Sequence, residues 1–242
     1  MKSEILQSTQ LVELASSDLS VYSYQSPSDA NLVYASLGVD RQLDLANIYR
    51  SAFAGPPWYE RFRCIRCGSF QAFAGGCTKC GSEVGEAYPT DELVKDYFPQ
   101  MLSQYSPGVL ILLAKVGFAT GGMIELDRLI DLKYGGNKEI LESIIEKAAI
   151  GPRQRVFYDN EACVLPNAQK SGVGKKLSLA RVEAAIGLGA DVVTGRTINQ
   201  PWLAVKRRQW EEKGFSFSAF VPSGDDYEVA GAKRYFFVAK KS

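Results

Sequence analysis

Four of the five cysteines form two identically spaced pairs, Cys64/Cys67 in CIRCG and Cys77/Cys80 in CTKCG. Two Cys-x-x-Cys-Gly knuckles joined by a short loop can place four thiolates around a tetrahedral zinc ion. The glycine after each pair allows the tight turn that points backbone N–H groups toward sulfur. Two redox-active pairs or a disulfide framework are the alternatives. A disulfide framework is disfavoured if the protein is cytosolic, because the cytosol keeps thiols reduced. Four thiolates close the coordination shell, which favours a structural zinc.

A second chemical pattern lies in residues 156–174, VFYDNEACVLPNAQKSGVG. Residues that favour β-strands open the segment, a proline and two glycines close it, and apolar residues at roughly helical spacing follow. This order predicts a strand, a loop and a helix. The first N–H groups of a helix have no partner inside it and carry partial positive charge, so Gly172 and Gly174 would let the backbone approach an anion such as phosphate.

Spacing excludes two kinds of phosphate loop. A Walker-type loop needs a glycine where Gln169 stands and a Ser or Thr where Lys176 stands. A Rossmann loop needs a third glycine where Leu177 stands. The remaining pattern, V-x-P-x-x-Q-x-x-G-x-G from Val164 to Gly174, resembles the signature of the GNAT acyltransferase superfamily. In that family Gln or Arg opens the loop that binds the pyrophosphate of acetyl-coenzyme A.

Further landmarks follow in the order that the GNAT resemblance implies. An Asn after the fifth strand and a helix that closes on Gly-Phe recur in the family, and this chain has Asn199 and WEEKGF in those places. The strands predicted from β-favouring runs are a hairpin of residues 109–116 and 120–125 across Gly117, then residues 191–197, and two C-terminal strands that begin near Phe215 and Arg234.

The resemblance implies a cofactor site where the strand before the glycine loop separates from its neighbour. Backbone amides near the end of that strand would bind the pantetheine arm and the thioester oxygen, and amides of the loop would bind the pyrophosphate. The residues implied are Cys163 and Val164 on the strand, Gln169, Gly172, Gly174 and Lys175 in the loop, and Asn199 as a cofactor or loop-ordering contact.

Acid–base chemistry cannot involve histidine, because the chain has none. This excludes His bases, Ser-His and Cys-His pairs and His metal ligands. Glu161 lies three residues before Val164, near the position where many GNAT members carry a carboxylate base, and is the predicted catalytic residue. Glu125 and Asp159 are the reserves.

The sequence differs from the GNAT pattern at the residue that would protonate the leaving thiolate. Trp210 stands where many relatives have a tyrosine, and an indole cannot supply a proton at neutral pH. Tyr158 and Tyr227 are the remaining candidates, or the thiolate leaves unassisted. Cys163 could form an acyl-enzyme, but a cysteine on a buried strand is usually a small hydrophobic residue.

The other elements are read from periodicity. Residues 1–30 give no confident element and are predicted to form an N-terminal arm, either packed on the domain or flexible. Helices are predicted at residues 40–53, 90–104, 126–132 and 138–149, a strand at residues 31–38, and the cysteine knuckles as an insertion at about 59–84.

Composition is that of a globular protein, with 242 residues, 46% hydrophobic and 23% charged, and a net charge of +1. This charge gives no overall attraction to nucleic acid or an anionic membrane. The longest apolar run, residues 109–114, is too short to span a bilayer, and the N-terminus lacks the apolar stretch of a signal peptide. A cytoplasmic location is therefore expected.

Together these patterns predict an α/β (α+β) fold. A GNAT-like, mixed but mostly antiparallel, twisted sheet flanked by helices would occupy residues 31–242, with a small zinc-ribbon insertion. The predicted function is transfer of an acetyl group from acetyl-coenzyme A to an amine, of a small molecule or a protein, by direct attack. The alternative is a non-catalytic GNAT-like protein whose ribbon contacts protein or nucleic acid; Trp210 favours it, whereas the glycine loop and Glu161 favour the enzyme.

Overall fold

The computed structural model describes residues 18–56, 58–198, 200–223, 228–229 and 232–242. The strands are Leu19–Tyr24 (β1), Phe62–Cys64 (β2), Phe70–Gln71 (β3), Val84–Glu86 (β4), Gly108–Leu113 (β5), Gly117–Glu125 (β6), Arg155–Val164 (β7), Val192–Thr197 (β8), Phe215–Phe220 (β9), Glu228–Val229 (β10), Ala232–Lys233 (β11) and Tyr235–Lys241 (β12). The helices are Pro27–Ser36 (α1), Gly38–Ala54 (α2), Thr90–Glu92 (α3), Phe98–Ser103 (α4), Leu126–Tyr134 (α5), Lys138–Ala148 (α6), Val173–Gly187 (α7) and Gln200–Glu211 (α8), with a π-turn at Leu93–Tyr97 and a 3-10 turn at Pro166–Ala168.

Seven strands form the main sheet in the order β1-β5-β6-β7-β8-β12-β9. Every neighbouring pair is antiparallel except β7 and β8, which are parallel. Helices flank this sheet, and a separate small sheet lies beside the cysteines. The predicted architecture, a mixed but mostly antiparallel sheet flanked by helices and with a small separate insertion, is confirmed.

The core lies on both faces of the sheet, because successive side chains of a strand alternate between faces. On one face, Leu110 and Leu112 of β5 pack with α1, α2 and α4, and Phe236 and Val238 of β12 pack with α5 and α6. On the other face, residues such as Ile111 pack with α7 and α8. Within the ranges described, no helix has the length and apolar character needed to cross a bilayer.

The N-terminal region differs from the prediction. β1 pairs with β5 along its whole length and forms an edge of the main sheet, so residues 19–30 of the predicted arm contribute the first strand and the start of the first helix. Residues 1–17 lie outside the described residues. The expectation that the first strand lies at residues 31–38 is wrong, because most of this segment belongs to α1.

Local sequence explains why α1 replaces the expected strand. The Ser26 side chain accepts a hydrogen bond from the Asp29 amide, and the Asp29 carboxylate accepts one from the Ser26 amide, which is a capping box. Pro27 occupies the first turn, where its missing N–H costs nothing. These start signals outweigh the β-favouring residues that follow them.

The remaining helices follow the predictions with small shifts in their ends. Residues 90–104 form α3, the π-turn and α4 in direct succession, so the irregularity comes before Pro99 rather than at it. A proline ring clashes with the carbonyl four residues earlier, and a π-turn accommodates that clash by adding a residue to one turn. The predicted hairpin and C-terminal strands correspond to β5/β6 and to β9 and β12.

Candidate active site and metal centre

The two parallel strands in the middle of the sheet separate at their carboxyl ends. On β7 the pairing with β8 extends only from Phe157 to Asp159. β7 then continues to Val164 and β8 to Thr197 without further pairing between them. A gap with unpaired backbone therefore opens in the sheet, next to the loop that leads into α7.

A β-bulge in β7 lies where the two strands separate. Ala119 of β6 pairs with Ala162, whereas Gly121 pairs with Asp159, so β7 has one residue more than β6 between these two pairs. Thr120 therefore faces two residues of β7. A bulge of this kind bends the strand and redirects its side chains.

Arg181 of α7 binds the backbone at this bulge. Its guanidinium donates to the carbonyl oxygens of Thr120, at 3.1 Å, and Glu161, at 2.9 Å. It also forms an ion pair with Asp159, which forms a second ion pair with Lys206 of α8. All three charged side chains are buried. Asp159, a reserve base in the sequence analysis, is thus held between two cations.

Backbone direction decides which amides face the gap. The Leu165 amide donates to the Val116 carbonyl at 2.9 Å, on the β6 side. Alternate residues of a strand direct their N–H groups to opposite sides, so Cys163 also directs its amide toward β6. The amides of Ala162 and Val164 are directed toward the gap. Of the two strand amides implied by the resemblance, only that of Val164 is therefore available to a ligand.

The glycine loop presents a helix N-terminus beside the gap. Gly172 has a φ of 90° and is the N-cap of α7, a conformation that glycine adopts without strain. The first bond of the helix runs from the Lys176 amide to the Gly172 carbonyl at 3.0 Å. Among the described residues, no acceptor is hydrogen-bonded to the amides of residues 172–175, which include the predicted Gly172, Gly174 and Lys175. These donors can bind an anion.

Gln169 and Gly174 take different positions in this loop. The Gln169 amide donates to the Pro166 carbonyl at 3.4 Å, and its side chain donates to the Val164 carbonyl at 3.4 Å. Gln169 therefore orders the loop and does not present its amide. A side-chain carbon added at Gly174 would lie 3.6 Å from the Trp202 ring, so the loop adjoins the pocket that Trp202 lines.

A pocket of roughly 430 Å³ opens from the gap toward the face that carries α2 and α5. Its walls include residues 158–163 of β7, the end of β8 and the start of α8. Aromatic side chains dominate the rest of the wall, namely Tyr49, Phe53, Trp58, Phe70, Tyr88, Tyr97 and Trp202. Five basic and three acidic residues also line it. A concave pocket that combines aromatic walls with convergent charged groups can hold a small polar ligand.

Glu161 lies in this pocket and is half-buried. Burial raises the pKa of Tyr49 and of Tyr97 above the usual range, and the Glu161 carboxylate adds to the rise in both. The two hydroxyls are hydrogen-bonded to each other at 2.8 Å. The site therefore joins a carboxylate to a pair of hydroxyls that stay protonated at neutral pH.

The other predicted residues lie elsewhere. Glu125 is exposed at the opposite end of β6, where it precedes α5, and is absent from the pocket wall. Trp210 is buried against Phe215 in the core between α8 and the sheet. Asn199 and Tyr227 lie outside the described residues.

Two further candidates for proton or acyl transfer are buried. The Tyr158 hydroxyl is hydrogen-bonded to that of Tyr134 at 3.1 Å. Cys163 is buried, and burial raises the pKa of its thiol well above the usual range. A thiol of this kind is a poor nucleophile, as expected for a small hydrophobic residue.

The four paired cysteines converge at the base of the small sheet, in which β3, β2 and β4 are neighbours. All four sulfur atoms lie within 4.8 Å of one another, with Cys64 and Cys80 3.5 Å apart and Cys67 and Cys77 3.6 Å apart. Four sulfurs around one zinc ion at about 2.3 Å would lie roughly 3.8 Å apart. The spacing thus fits a tetrahedral metal and exceeds the ~2.05 Å of a disulfide.

The two knuckles have the same backbone geometry. Gly68 and Gly81 have φ values of 69° and 74°, and their amides donate to the carbonyls of Cys64 and Cys77. Amides two residues after the first cysteine of each pair point at its sulfur, at 3.4 Å in both knuckles. The Ser69 hydroxyl lowers the pKa of the Cys77 thiol to about 6. Ser69 also lowers the pKa of Cys67, whereas the pKa of Cys64 is raised although the Cys67 amide opposes the rise. Cys67 and Cys77 are therefore the thiols that most readily form the thiolate that binds a metal ion.

No protein-family model and no curated protein matches the sequence. Among solved structures, the chain is similar to a mosquito arylalkylamine N-acetyltransferase-like 5b, at 11% identity and a TM-score of 0.49 over 83% of this chain and 95% of that one. It is also similar to a Drosophila melanogaster polyamine N-acetyltransferase, at 12% identity and a TM-score of 0.46 over 92% and 100%. A third is Arabidopsis thaliana NAA60 in complex with acetyl-CoA, at 13% identity and 0.37 over 61% and 84%. Because these identities and scores are low, no residue role is taken from these proteins.

Sequence reasoning missed several residues of the site. Arg181 and Lys206 are charged residues of predicted helices, and such residues usually lie on the solvated face, yet both are buried here. Tyr49 and Tyr97 read as core positions of helices. A charged residue on an apolar helix face, as Arg181 is with Leu177 and Ala185 four residues before and after it, is the one signal that could have found the cluster.

Proposed function

We propose that this protein transfers an acetyl group from acetyl-coenzyme A to an amine. The observation that carries the proposal is the juxtaposition of three features: a gap between parallel strands, a helix N-terminus with free amides at its edge, and Glu161 in the adjoining pocket. An extended ligand with a phosphate at one end and a reactive carbonyl at the other fits such an arrangement. Acetyl-coenzyme A has both groups.

The residues present fit this cosubstrate. The amides of Gly172, Gly174 and Lys175 would hold the pyrophosphate, since they have no partner among the described residues. The amides of Ala162 and Val164 would bind the pantetheine arm and the thioester oxygen, because they face the gap. Ala162 thus takes the place that the sequence analysis gave to Cys163.

The chain's own residues supply position and proton transfer. The bound cosubstrate supplies an acetyl thioester, whose C–S bond breaks as the amine nitrogen bonds to the carbonyl carbon. Glu161 would accept the proton of the ammonium group, directly or through water, so that the amine attacks in its neutral form. The hydrogen-bonded Tyr49–Tyr97 hydroxyl pair, which lines the same pocket, would give a proton to the leaving thiolate and take up the proton that the attacking nitrogen loses as the amide forms. The aromatic walls would exclude bulk water.

The four-cysteine cluster would hold a structural zinc ion. Its closed set of thiolates leaves no position for a substrate, and the strands around it contain only two or three residues each. The insertion also contributes Phe70 to the pocket wall. An amine of a small molecule or of a protein is the predicted acceptor, and the cytoplasm is the predicted location.

Calorimetric titration with acetyl-coenzyme A, followed by a thiol-release assay with a panel of amines, tests the proposal. Binding with turnover is the expected result. Binding without turnover on any amine would favour the non-catalytic alternative. Absence of binding would overturn the assignment of both the glycine loop and the gap.

A further inference from the structure

Three basic side chains line the pocket and form no salt bridge with a carboxylate in the described part of the chain. Lys133 comes from α5, Arg196 from the end of β8, and Arg234 from the residue before β12. Among the described residues, none of the three forms an ion pair. The remaining basic residues of the wall, Arg181 and Lys206, share the Asp159 carboxylate.

Each of the three is held by an aromatic ring instead. The charged groups lie 5.8 Å from the Tyr105 ring for Lys133, 5.5 Å from the Tyr134 ring for Arg196, and 5.8 Å from the Trp58 ring for Arg234. Ring contacts fix the position of a cation without neutralising its charge. The Nε atom of Arg234 is buried, and no hydrogen-bond partner for it exists among the described residues.

The three charges also act on one another. Burial lowers the pKa of Lys133, the Glu161 carboxylate opposes this fall, and the neighbouring Arg196 adds to it. Burial and Arg196 lower the pKa of Arg234 in the same way. Removing like charges from water costs free energy unless an anion joins them. The wall has five basic and three acidic residues, so it carries an excess of positive charge that an anionic ligand can balance.

Their position separates these cations from the proposed cosubstrate loop. The rings of Tyr134 and Tyr105 belong to the core on the face that carries α5 and α6. The glycine loop begins α7, which packs on the opposite face of the sheet. An anion bound by Lys133 and Arg196 would therefore lie on the face of the sheet opposite the glycine loop, which is the acceptor side of the gap.

We propose that the acceptor is an amine that also carries an anionic group, a carboxylate or a phosphate, which Lys133, Arg196 and Arg234 bind in the aromatic pocket. This inference rests on the proposed acetyl transfer at the same site. The amine would lie toward Glu161 and the anion toward the three cations. Amino acids and phosphorylated amines are the two classes with this chemistry.

Matched acceptor pairs test the proposal in a thiol-release assay with acetyl-coenzyme A. L-phenylalanine is compared with phenethylamine, and O-phosphoethanolamine with ethanolamine, so that each pair differs by its anion. The anionic member of at least one pair should have a kcat/KM about tenfold to a hundredfold higher, as expected for a charge-assisted contact. The pair that shows the difference identifies carboxylate or phosphate. Equal or better turnover of both neutral partners would overturn the inference and leave the transferase intact.

Variants assign the effect to the cations. Arg196→Gln and, as a second variant, Lys133→Met should raise the KM of the anionic acceptor about tenfold and leave the KM of its neutral partner unchanged. Arg153→Gln, which removes an exposed charge far from the pocket wall, is the control and should change neither. A fall in acetyl-coenzyme A affinity in Arg196→Gln would contradict the proposal, because it would assign that cation to the cosubstrate.

A binding measurement separates this inference from acetyl transfer itself. Calorimetry should show that N-acetyl-L-phenylalanine or N-acetyl-O-phosphoethanolamine binds more tightly than its neutral counterpart, even in Glu161→Gln. Equal binding of the charged and neutral products would overturn the anion site. If the wild-type protein does not bind acetyl-coenzyme A, the proposed function is overturned instead.

Discussion

Glu161 owes its position to the bulge in β7. The bulge places it on the pocket side of the strand, and Arg181 fixes its carbonyl from the other face of the sheet. A carboxylate held in this way can take a proton from a substrate without moving the backbone.

Replacing this carboxylate tests its role as the base. Glu161→Gln should lower kcat by about 10²–10⁴-fold, the usual contribution of a general base, with the affinity for acetyl-coenzyme A unchanged. Glu125→Gln is the matched control, because Glu125 is exposed at the other end of the sheet, and it should keep full activity. Steady-state kinetics and calorimetry measure both values. An unchanged kcat in Glu161→Gln would remove Glu161 as the base.

Lys206 links stability to pH. Burial lowers its pKa to about 8, against about 10.4 for an exposed lysine, although the Asp159 carboxylate opposes the fall. Between these values the unfolded chain keeps a proton that the folded chain has released, so rising pH favours the folded state by up to about 1.4 kcal/mol per pH unit. The free-energy cost of burying the charged form of Lys206 therefore destabilises the folded state fully below pH ~8 and no longer does so above pH ~10.4.

The expected result is a difference between two pH profiles. The free energy of unfolding of the wild type, minus that of Lys206→Met, should rise by about 1–3 kcal/mol from pH 8 to pH 10. Subtracting the variant cancels the titration of tyrosines that both proteins share. Urea unfolding at intervals across this range measures the difference. Parallel profiles would show that Lys206 keeps an ordinary pKa.

Single residues show where sequence reasoning succeeds. The four cysteines were predicted because their spacing is local and chemical, and their convergence in space follows from it. The three cations of the pocket come from segments about 60 and 40 residues apart. Their convergence depends on the whole sheet, so no local pattern indicates it.

At the level of elements, the loop before α7 depends on the backbone of Gly172. A φ of 90° strains any other residue, and a β-branched one most. Gly172→Val should therefore weaken acetyl-coenzyme A binding by at least about tenfold, because the amides of residues 172–175 would no longer point at the pyrophosphate. Calorimetry measures the affinity.

A matched substitution separates local strain from lost binding. Gly189 has a φ of 74° just beyond the other end of α7 and is exposed, so Gly189→Val introduces similar strain away from the loop. It should lower stability and leave the affinity for acetyl-coenzyme A unchanged. Similar losses of affinity in both variants would mean that the loop has no specific role.

The contact between α7 and β7 depends on Arg181. Arg181→Met removes the donors to two carbonyls and leaves the buried Asp159 with a single cation, which should lower the free energy of unfolding by about 3–5 kcal/mol. Arg208→Met, on the exposed face of α8, breaks only a surface pair with Glu212 and should lower the free energy of unfolding far less than Arg181→Met. Urea denaturation compares the two. Equal losses would show that Arg181 does not stabilise the bulge.

The elements were predicted where their periodicity is long and their ends are marked. The hairpin, α6 and the strand, loop and helix around the glycines follow the sequence closely. The segment at residues 31–38 was predicted as a strand because its β-favouring residues were read without the capping box before them. β1 escaped prediction because an edge strand needs few apolar residues, and its pairing with β5 is long-range.

At the scale of the whole molecule, the sheet and the cysteine insertion build one pocket together. Phe70 of the insertion stacks on Tyr88 at 5.9 Å, and Tyr88 meets Tyr49 of α2 edge-on at 5.1 Å. The acceptor side of the pocket therefore depends on an element outside the main sheet. The proposed cosubstrate side is formed by β7, β8 and the start of α7, all of which lie outside the insertion.

Removal of the metal tests this division. The strands of the insertion are too short to hold it without a metal, so Cys77→Ser should lose the bound zinc, about one ion per chain in the wild type, and disorder the wall at Phe70. The KM of the acceptor should rise about tenfold or more, because a displaced wall misplaces the amine. The affinity for acetyl-coenzyme A should stay unchanged.

The fifth cysteine provides the control for the loss of the metal. Cys163→Ala removes a buried thiol outside the cluster and should keep the zinc, because all four ligands remain. Metal analysis, calorimetry and steady-state kinetics on both variants decide the matter. If Cys77→Ser loses its zinc and keeps the acceptor KM, the insertion does not shape the pocket. If acetyl-coenzyme A affinity falls together with the zinc, the two sides of the site are not independent, because the insertion then stabilises the gap itself.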